Sequence, residues 1–329
     1  FTMAERIRYG QIGVAHAHAN KMQSYRQSAD FDVVGVVEPN EALRERAMQT
    51  ETYRDLNWMT QEELLNTPGL QVVGVETEVR QLLDTAEICV AAGKHIHLDK
   101  PAGESLPQFR RILDAAAKQH LAVQMGYMYR FNPAVVMMRD FIKKGWLGEP
   151  FEVHTVMSKV VAAGSRKGLA EYPGGILFEL GCHILDLAIG VLGAPTEVHG
   201  VRQHVSSIDD GLLDNMLATL VYPKAIGTVK SSAMEVEGFA RRHFVVCGTE
   251  GTFHIQPLDA PNVKVGLSTN RGKYKRGYQE IEFGPYSRYT GDVADLAQIV
   301  RSEKDPEFSY EHDYTVQKTL LQACGLPLE

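Results

Sequence analysis

Short apolar runs and amphipathic stretches alternate through the first part of the chain. Residues 6–12 and 31–37 read as strands, the second a nearly unbroken apolar run ending in Val36-Val37, as expected of a strand covered on both faces. Residues 70–75, 95–98 and 121–125 supply three more. Between them, apolar positions at helical spacing predict helices over 17–28, 81–92 and 107–119. Gly93 stops one of these, and Thr60-Gln61-Glu62-Glu63 is a capping box that opens another short helix. This alternation predicts a doubly wound parallel sheet, a Rossmann-type α/β domain over residues 1–130.

The rhythm changes after Asn132. A helical pattern over 133–144 leads to a strand over 151–158 and a second helix around 176–186. Strand-like segments then follow one another at 197–205, 215–221, 225–234, 242–247, 252–256, 262–268 and 278–283, and helices over 291–301 and 314–324 close the chain. Strands in succession predict a second domain over 131–329, an α+β fold on a large, mainly antiparallel open sheet.

Composition narrows the partners. With 329 residues the chain exceeds the usual size of a single core, so two domains are expected. A net charge of −7 without a basic run excludes a nucleic-acid or anionic-membrane partner. Neither an apolar run long enough to span a bilayer nor a secretory signal pattern is present, and the four cysteines lack C-x-x-C spacing. A reduced, cytoplasmic setting and a small-molecule partner are expected.

The turn after the first strand, Gly10-Gln11-Ile12-Gly13-Val14-Ala15-His16-Ala17-His18, is a degenerate dinucleotide fingerprint. Gly13 makes the tight turn, and Ala15 is small enough for a pyrophosphate to approach. Glu38 ends the second strand, where a carboxylate accepts hydrogen bonds from the adenosine ribose and repels a 2′-phosphate, so NAD is expected rather than NADP. His16 and His18 point apart on a helix and lack a third ligand in the sequence; His16 is read as a loop residue beside the cofactor, and no metal is expected.

Two segments carry chemistry. Gly93-Lys94-His95-Ile96-His97-Leu98-Asp99-Lys100-Pro101 puts Lys100 at the carboxyl end of a strand, where parallel sheets bind ligands. Glu179, His183 and Asp186 fall at i, i+4 and i+7, one face of a helix. Lysine, imidazole and carboxylate suit proton-coupled hydride transfer from an alcohol. His183 is the expected base, Lys100 the donor to the developing oxyanion, and Glu179 orients substrate or imidazole. Tyr129, ending the fifth strand, and Lys159, ending the first strand of the second domain, are candidate substrate contacts, as is Asp186.

Several ordered motifs resemble the Gfo/Idh/MocA family of NAD(P)-dependent sugar and cyclitol oxidoreductases. They are Ala92-Gly93-Lys94-His95-Ile96 with Asp99-Lys100-Pro101, Gly126-Tyr127-Met128-Tyr129-Arg130-Phe131-Asn132-Pro133, Gly145-Trp146-Leu147-Gly148-Glu149, and Glu179-Leu180-Gly181-Cys182-His183-Ile184-Leu185-Asp186. The resemblance covers nearly the whole chain. It implies a Rossmann domain followed by an α/β domain whose open sheet mediates a homodimer or homotetramer, with Thr77, Asp99 and Pro101 beside the cofactor. Departures are present: Asp99 and Glu179 stand where the family has Glu and Asp, and Thr77-Glu78-Val79-Arg80-Gln81-Leu82 lacks the family's Pro-Asn-x-x-His. The expected activity is NAD-dependent oxidation of a ring hydroxyl on a sugar, sugar derivative or cyclitol. The departures leave two alternatives: a lyase, epimerase or glycosidase that retains its NAD and works through a transient ketone, and a non-catalytic NAD-binding regulator.

Overall fold

The computed structural model describes residues 5–329. The chain forms two compact units: one runs to Met128 and includes Arg288–Tyr310, the other comprises Tyr129–Ser287 and Glu311–Leu328.

The first unit is built on five parallel strands: β1 (Ile7–Ile12), β2 (Phe31–Val37), β3 (Leu70–Val75), β4 (His95–Leu98) and β5 (Val123–Met125), in the order β2-β1-β3-β4-β5. Helices Val79–Ala91 and Leu106–Lys118 follow β3 and β4 and pack on each other. The second buries Leu106, Phe109, Ile112, Leu113 and Ala116, one helical stripe, and starts at a Ser105 cap with a proline in its first turn. The helix expected over 17–28 is a 3₁₀ turn, Ala19–Lys21, running into a short α-helix, Met22–Gln27. Helix Glu41–Met48, which the pattern does not announce, is capped by the Asn40 side chain accepting from Leu43 N at 3.1 Å.

Tyr9, Tyr25 and Phe31 form the aromatic centre of this unit, the first two stacked with ring centroids 3.8 Å apart. Val293, Leu296 and Ala297 of helix Thr290–Val300 complete the same cluster. Its place in the chain assigns that helix to the domain expected over 131–329. Its apolar i, i+3, i+4 stripe is instead buried in the first unit, because packing follows complementary faces rather than order in the chain.

The second unit is an eight-stranded sheet: β6 (Pro150–Val156), β7 (Glu197–Gln203), β8 (Asn215–Val221), β9 (Ile226–Ser232), β10 (His243–Gly248), β11 (Gly251–Ile255), β12 (Asn262–Leu267) and β13 (Gly277–Glu282). The order is β13-β12-β11-β10-β6-β9-β8-β7, antiparallel except for β6 with β9. Burial alternates strictly along β8, the signature of a sheet covered on one face. Helix Cys182–Leu192 packs on β6 and β9. On the opposite face, Val201, Ile226 and Tyr278 are 53%, 55% and 78% exposed.

The segment carrying Glu179 and His183 is not one regular helix. Leu177–Gly181 is a π-helical turn, and the α-helix begins at Cys182. A wider turn rotates Glu179 away from the face that 3.6-residue spacing would give it. Gly181 lets the turn pack closely: a Cβ would stand 2.5 Å from Leu177 Cδ1 and 3.0 Å from Ser231 Oγ on β9, so the Leu177 side chain would have to shift.

Candidate active site

At the carboxyl ends of β1, β2 and β3 lies a cleft of about 600 Å³, lined among others by Gly13, Ala15, Glu38, Asn40, Arg44, Thr77 and Glu78. Four of the expected cofactor residues therefore share one wall. Gly13 has φ +91°, and a Cβ there would stand 2.5 Å from Thr77 N, so only glycine lets the two strand ends approach. Glu38 ends β2 with its carboxylate fixed by two backbone amides: Oε2 accepts from Val14 N at 3.0 Å and Oε1 from Asn40 N at 2.9 Å. Thr77 is 6% exposed and its buried Oγ1 has no hydrogen-bond partner. A glycine cradle, an unsatisfied hydroxyl on its floor and a carboxylate at the end of β2 fit the pyrophosphate and ribose of a dinucleotide.

Beneath the loop that follows Gly13 is a buried polar network. Gln11 donates from Nε2 to Gly13 O (2.9 Å) and to Tyr53 Oη (2.8 Å), and Tyr53 donates to Ala19 O (2.6 Å). His16 Nε2 donates to Lys100 O (2.8 Å), while its Nδ1 accepts from His18 N (3.1 Å); a carbonyl can only accept, which fixes the direction. His18 takes the place of the third fingerprint glycine because its ring is spent on Asp99, with Nδ1 3.2 Å from Oδ1.

Asp99 is the hub. It is fully buried; Oδ1 accepts from Lys100 N at 2.7 Å, and Oδ2 lies 2.5 Å from Lys21 Nζ and 3.3 Å from His16 Nδ1. Lys100 N and His18 Nδ1 engage one of its oxygens and Lys21 Nζ the other, all from within the protein. The expectation of a cofactor contact by Asp99 is corrected accordingly: it lies behind the loop and holds it. Lys100 and Pro101 are buried beside it.

Lys21, read in the sequence only as part of a helical pattern, is 2% exposed. Its ammonium also donates to His97 Nε2 (2.7 Å) and lies 3.0 Å from Glu76 Oε1. Because lysine only donates, His97 carries its proton on Nδ1 and gives it to Gln124 Oε1 (2.8 Å); Gln124 Nε2 then donates to Asp292 O and Asp295 Oδ2.

The charges sort themselves accordingly. Burial opposes the Lys21 ammonium, but Asp99 and Glu76 outweigh it and hold its pKa above the ordinary lysine value. Burial also opposes the Asp99 carboxylate; His16, Lys21 and His18 override it and keep the group ionised. Burial, and then the facing Asp99 charge, push the Glu76 carboxyl above its ordinary value. Burial lowers His18 to about 4 and His97 to about 3, so both are neutral. The third ligand that His16 and His18 lacked in the sequence is Asp99, and Glu76, His97 and Asp99 form a second group with metal-like spacing. Lys21 Nζ already stands among that second set as an internal cation, and both ring nitrogens of His16 are spent on hydrogen bonds.

In the second unit, His183 is buried, and Tyr129 meets its ring edge-on with centroids 5.3 Å apart. Tyr129 Oη donates to Asp259 Oδ1 (2.6 Å), and Asp259 Oδ2 accepts from Arg242 Nη1 (3.0 Å), so the tyrosine ring is held against the imidazole. Lys159 continues the β6 pairing, its N donating to Ser232 O at 3.0 Å, and its side chain is partly exposed, as is that of Glu179. Asp186 departs from the sequence reading. It is 1% exposed and its oxygens accept from Arg130 Nε and Nη2, the latter at 2.5 Å, and from His312 Nε2 at 3.0 Å. Burial disfavours its charge, but Arg130 overrides that and holds its pKa at about 2. Asp313 accepts from the same guanidinium at 2.6 Å. A buried carboxylate requires a counterion, and here the protein supplies it, which corrects the assignment of Asp186 to substrate.

Comparison with known proteins bears on the family and the fold. Residues 7–127 match the oxidoreductase family with an NAD-binding Rossmann fold, and 135–254 match the GFO/IDH/MocA C-terminal domain. The chain belongs to the Gfo/Idh/MocA family. Its first part is thus an NAD(P)-binding Rossmann fold. Among its relatives, scyllo-inositol 2-dehydrogenase (NAD(+)) of Bacillus subtilis is 24% identical over 92% of this chain and 89% of that protein. Trans-1,2-dihydrobenzene-1,2-diol dehydrogenase of Mus musculus is 26% identical over 61% of this chain, and the match spans 59% of the mouse enzyme's length. Among solved structures, an NAD binding oxidoreductase from Klebsiella pneumoniae superposes with a TM-score of 0.82 at 20% identity, covering 96% of this chain and 95% of that one. Levoglucosan dehydrogenase, solved with NADH and levoglucosan, gives 0.81 at 16% identity over 98% of both chains. Among the described residues, no helix is long and apolar enough to cross a membrane.

Proposed function

We propose that this Gfo/Idh/MocA protein is an NAD-dependent dehydrogenase that moves a hydride between the nicotinamide and a ring hydroxyl of a sugar, sugar derivative or cyclitol. The observation that carries the proposal is the Glu38 carboxylate, held by Val14 N and Asn40 N on the wall of a cleft cradled by Gly13. A fixed negative charge there accepts from ribose hydroxyls and repels a 2′-phosphate, which favours NAD over NADP. The match to scyllo-inositol 2-dehydrogenase over most of both chains supports a cyclic polyol as substrate.

Bound NAD supplies the hydride acceptor. The loop through Gly13, Ala15 and His16, with Thr77, holds the dinucleotide. His183 takes the hydroxyl proton on its imidazole, and the Lys100 ammonium stabilises the alkoxide from which the hydride leaves. Tyr129 keeps the imidazole in place while Glu179 and Lys159 orient the remaining hydroxyls. In this reading the Rossmann part binds cofactor, the second part binds substrate, and the exposed β-face bearing Val201, Ile226 and Tyr278 is buried in a homodimer or homotetramer. Four free cysteines support a cytoplasmic setting.

The test is NADH formation by purified protein with NAD across sugars, glycosides, sugar acids and cyclitols. A substrate-dependent signal that falls roughly 10²–10⁴-fold in Lys100→Ala is expected. Unchanged turnover in that variant refutes the role of Lys100. Product formed without NADH release, on cofactor that co-purifies, would transfer the assignment to a lyase or epimerase using a transient ketone.

A further inference from the structure

The fingerprint loop and the strand end that carries Lys100 are separate in sequence, yet one carboxylate ties them. Asp99 accepts from the Lys100 amide at 2.7 Å and lies 3.2 Å from His18 Nδ1 and 3.3 Å from His16 Nδ1, both on the loop. His16 closes the second strand of the tie by donating to Lys100 O at 2.8 Å, and its own amide donates to Glu76 O at 3.1 Å. Beside His16 and His18, Lys21 helps Asp99 remain an anion in this interior. Its Nζ is 2.5 Å from Asp99 Oδ2 and is oriented by His97 at 2.7 Å and Glu76 at 3.0 Å. Lys21, Glu76, His97 and Asp99 are each 2% exposed or less. Lys21 touches neither the cleft wall formed by Gly13, Glu38 and Thr77 nor bulk water.

We propose that Lys21 is a positioning residue: by pairing with Asp99 it clamps the nucleotide loop to the Lys100 backbone, so that the site for the dinucleotide and the lysine move as one piece. This rests on the dehydrogenase reading above only for its effect on turnover. The clamp itself is a property of the protein without cofactor. A neutral side chain at position 21 takes the ammonium from beside the buried Asp99 carboxylate, which takes up a proton, loses acceptor strength and releases His18 and the Lys100 amide together.

The test is the variant Lys21→Met in the full chain, read in two ways. Amide hydrogen exchange by mass spectrometry, on protein without added NAD, follows a peptide containing Lys100 and one containing residues 14–20. Both are expected to exchange at least tenfold faster than in the wild type, while peptides of the eight-stranded sheet do not change. Acceleration of only one, or of neither, overturns the clamp whatever the activity. The second reading is a double-mutant cycle on turnover. Lys21→Met is expected to lower kcat at least tenfold with substrate KM changed less than twofold, and to have less than a twofold effect in a Lys100→Ala background. Equal losses in both backgrounds overturn the proposal, because Lys21 would then act independently of Lys100. Joint acceleration in exchange, with no turnover by the wild type on any substrate, supports the clamp and refutes the dehydrogenase reading instead. If Lys21→Met fails to fold, Asp99→Asn, which keeps the size of the side chain and removes the charge, is put through the same exchange measurement with the same outcomes expected.

Discussion

Replacing Arg130 with methionine tests whether Asp186 belongs to the interior rather than to the substrate. Arg130 is 3% exposed and bridges Asp186 and Asp313, each also buried, with His312 on the outer side of Asp186. In the native cluster the carboxyl of Asp186 sits at about 2 against an ordinary 3.8, nearly two pH units, or roughly 2.5 kcal/mol of preference for the charged form. Asp313 already lies above its ordinary value because burial outweighs the same guanidinium. Without Arg130, two carboxylates share a desolvated site with no cation between them, and breaking a buried pair this way costs about 3–5 kcal/mol. In thermal melting this is a fall of roughly 6–20 °C.

The sign of the pH dependence makes the experiment decisive. In the wild type Asp186 has a depressed folded pKa, so its contribution is present above 3.8 and fades as the pH falls toward about 2. In Arg130→Met burial dominates both carboxyls and raises them, so the penalty is largest near about pH 7 and shrinks as the pH drops through the carboxylate range. Urea denaturation of both proteins at about pH 7 and about pH 4.5 measures this, followed by tryptophan fluorescence. A difference below about 1 kcal/mol at the higher pH, or one that grows on acidification, refutes the reasoning. The companion variant Asp186→Asn is expected to lose stability with substrate KM unchanged; a raised KM in a fully stable variant would return Asp186 to the substrate.

Three further outcomes are expected. Glu38→Ala removes the charge at the end of β2 and should reduce the preference for NAD over NADP by roughly 10–100-fold, measured as a ratio of affinities; an unchanged ratio refutes the role of Glu38. Gly13→Ala forces a Cβ to 2.5 Å from Thr77 N at φ +91° and should weaken dinucleotide binding at least about tenfold, with about 2–4 kcal/mol lost in stability; calorimetric titration and denaturation report the two. Asp292, 1% exposed, is raised by burial to about 6, so its stabilising contribution is present below its unfolded value and lost as the pH rises toward 6. Asp292→Asn should therefore match the wild type near about pH 4 and exceed it by about 2–3 kcal/mol near about pH 8, and equal stability at both would count against it.

The sequence by itself determined whatever depends on neighbours along the chain. Five apolar runs separated by helical patterns specify a parallel sheet, since each strand must be covered on both faces, and successive strands after residue 196 specify the antiparallel one. The positions of Gly13, Ala15 and Glu38 on one cleft were legible for the same reason, since a β–α turn brings strand ends together wherever that order occurs, whereas Thr77 came from the family resemblance. Tertiary structure decided what depends on charge in an interior. Lys21 and Glu76 look like surface residues in a polar–apolar pattern, and only the placement of helix Met22–Gln27 and β3 around Asp99 makes them an internal ion cluster. An acidic residue directly after an apolar run, as at Val75-Glu76, was the one available signal. The π-helical turn before Cys182 was equally invisible, because 3.6-residue spacing assumes a regular helix; Arg130 reads in the sequence as a partner for some carboxylate, but that it is Asp186, 56 positions away, does not. Local pattern specifies which faces must be buried, whereas the partner of a buried charge is set by whichever distant element arrives beside it, and desolvation makes that partner obligatory.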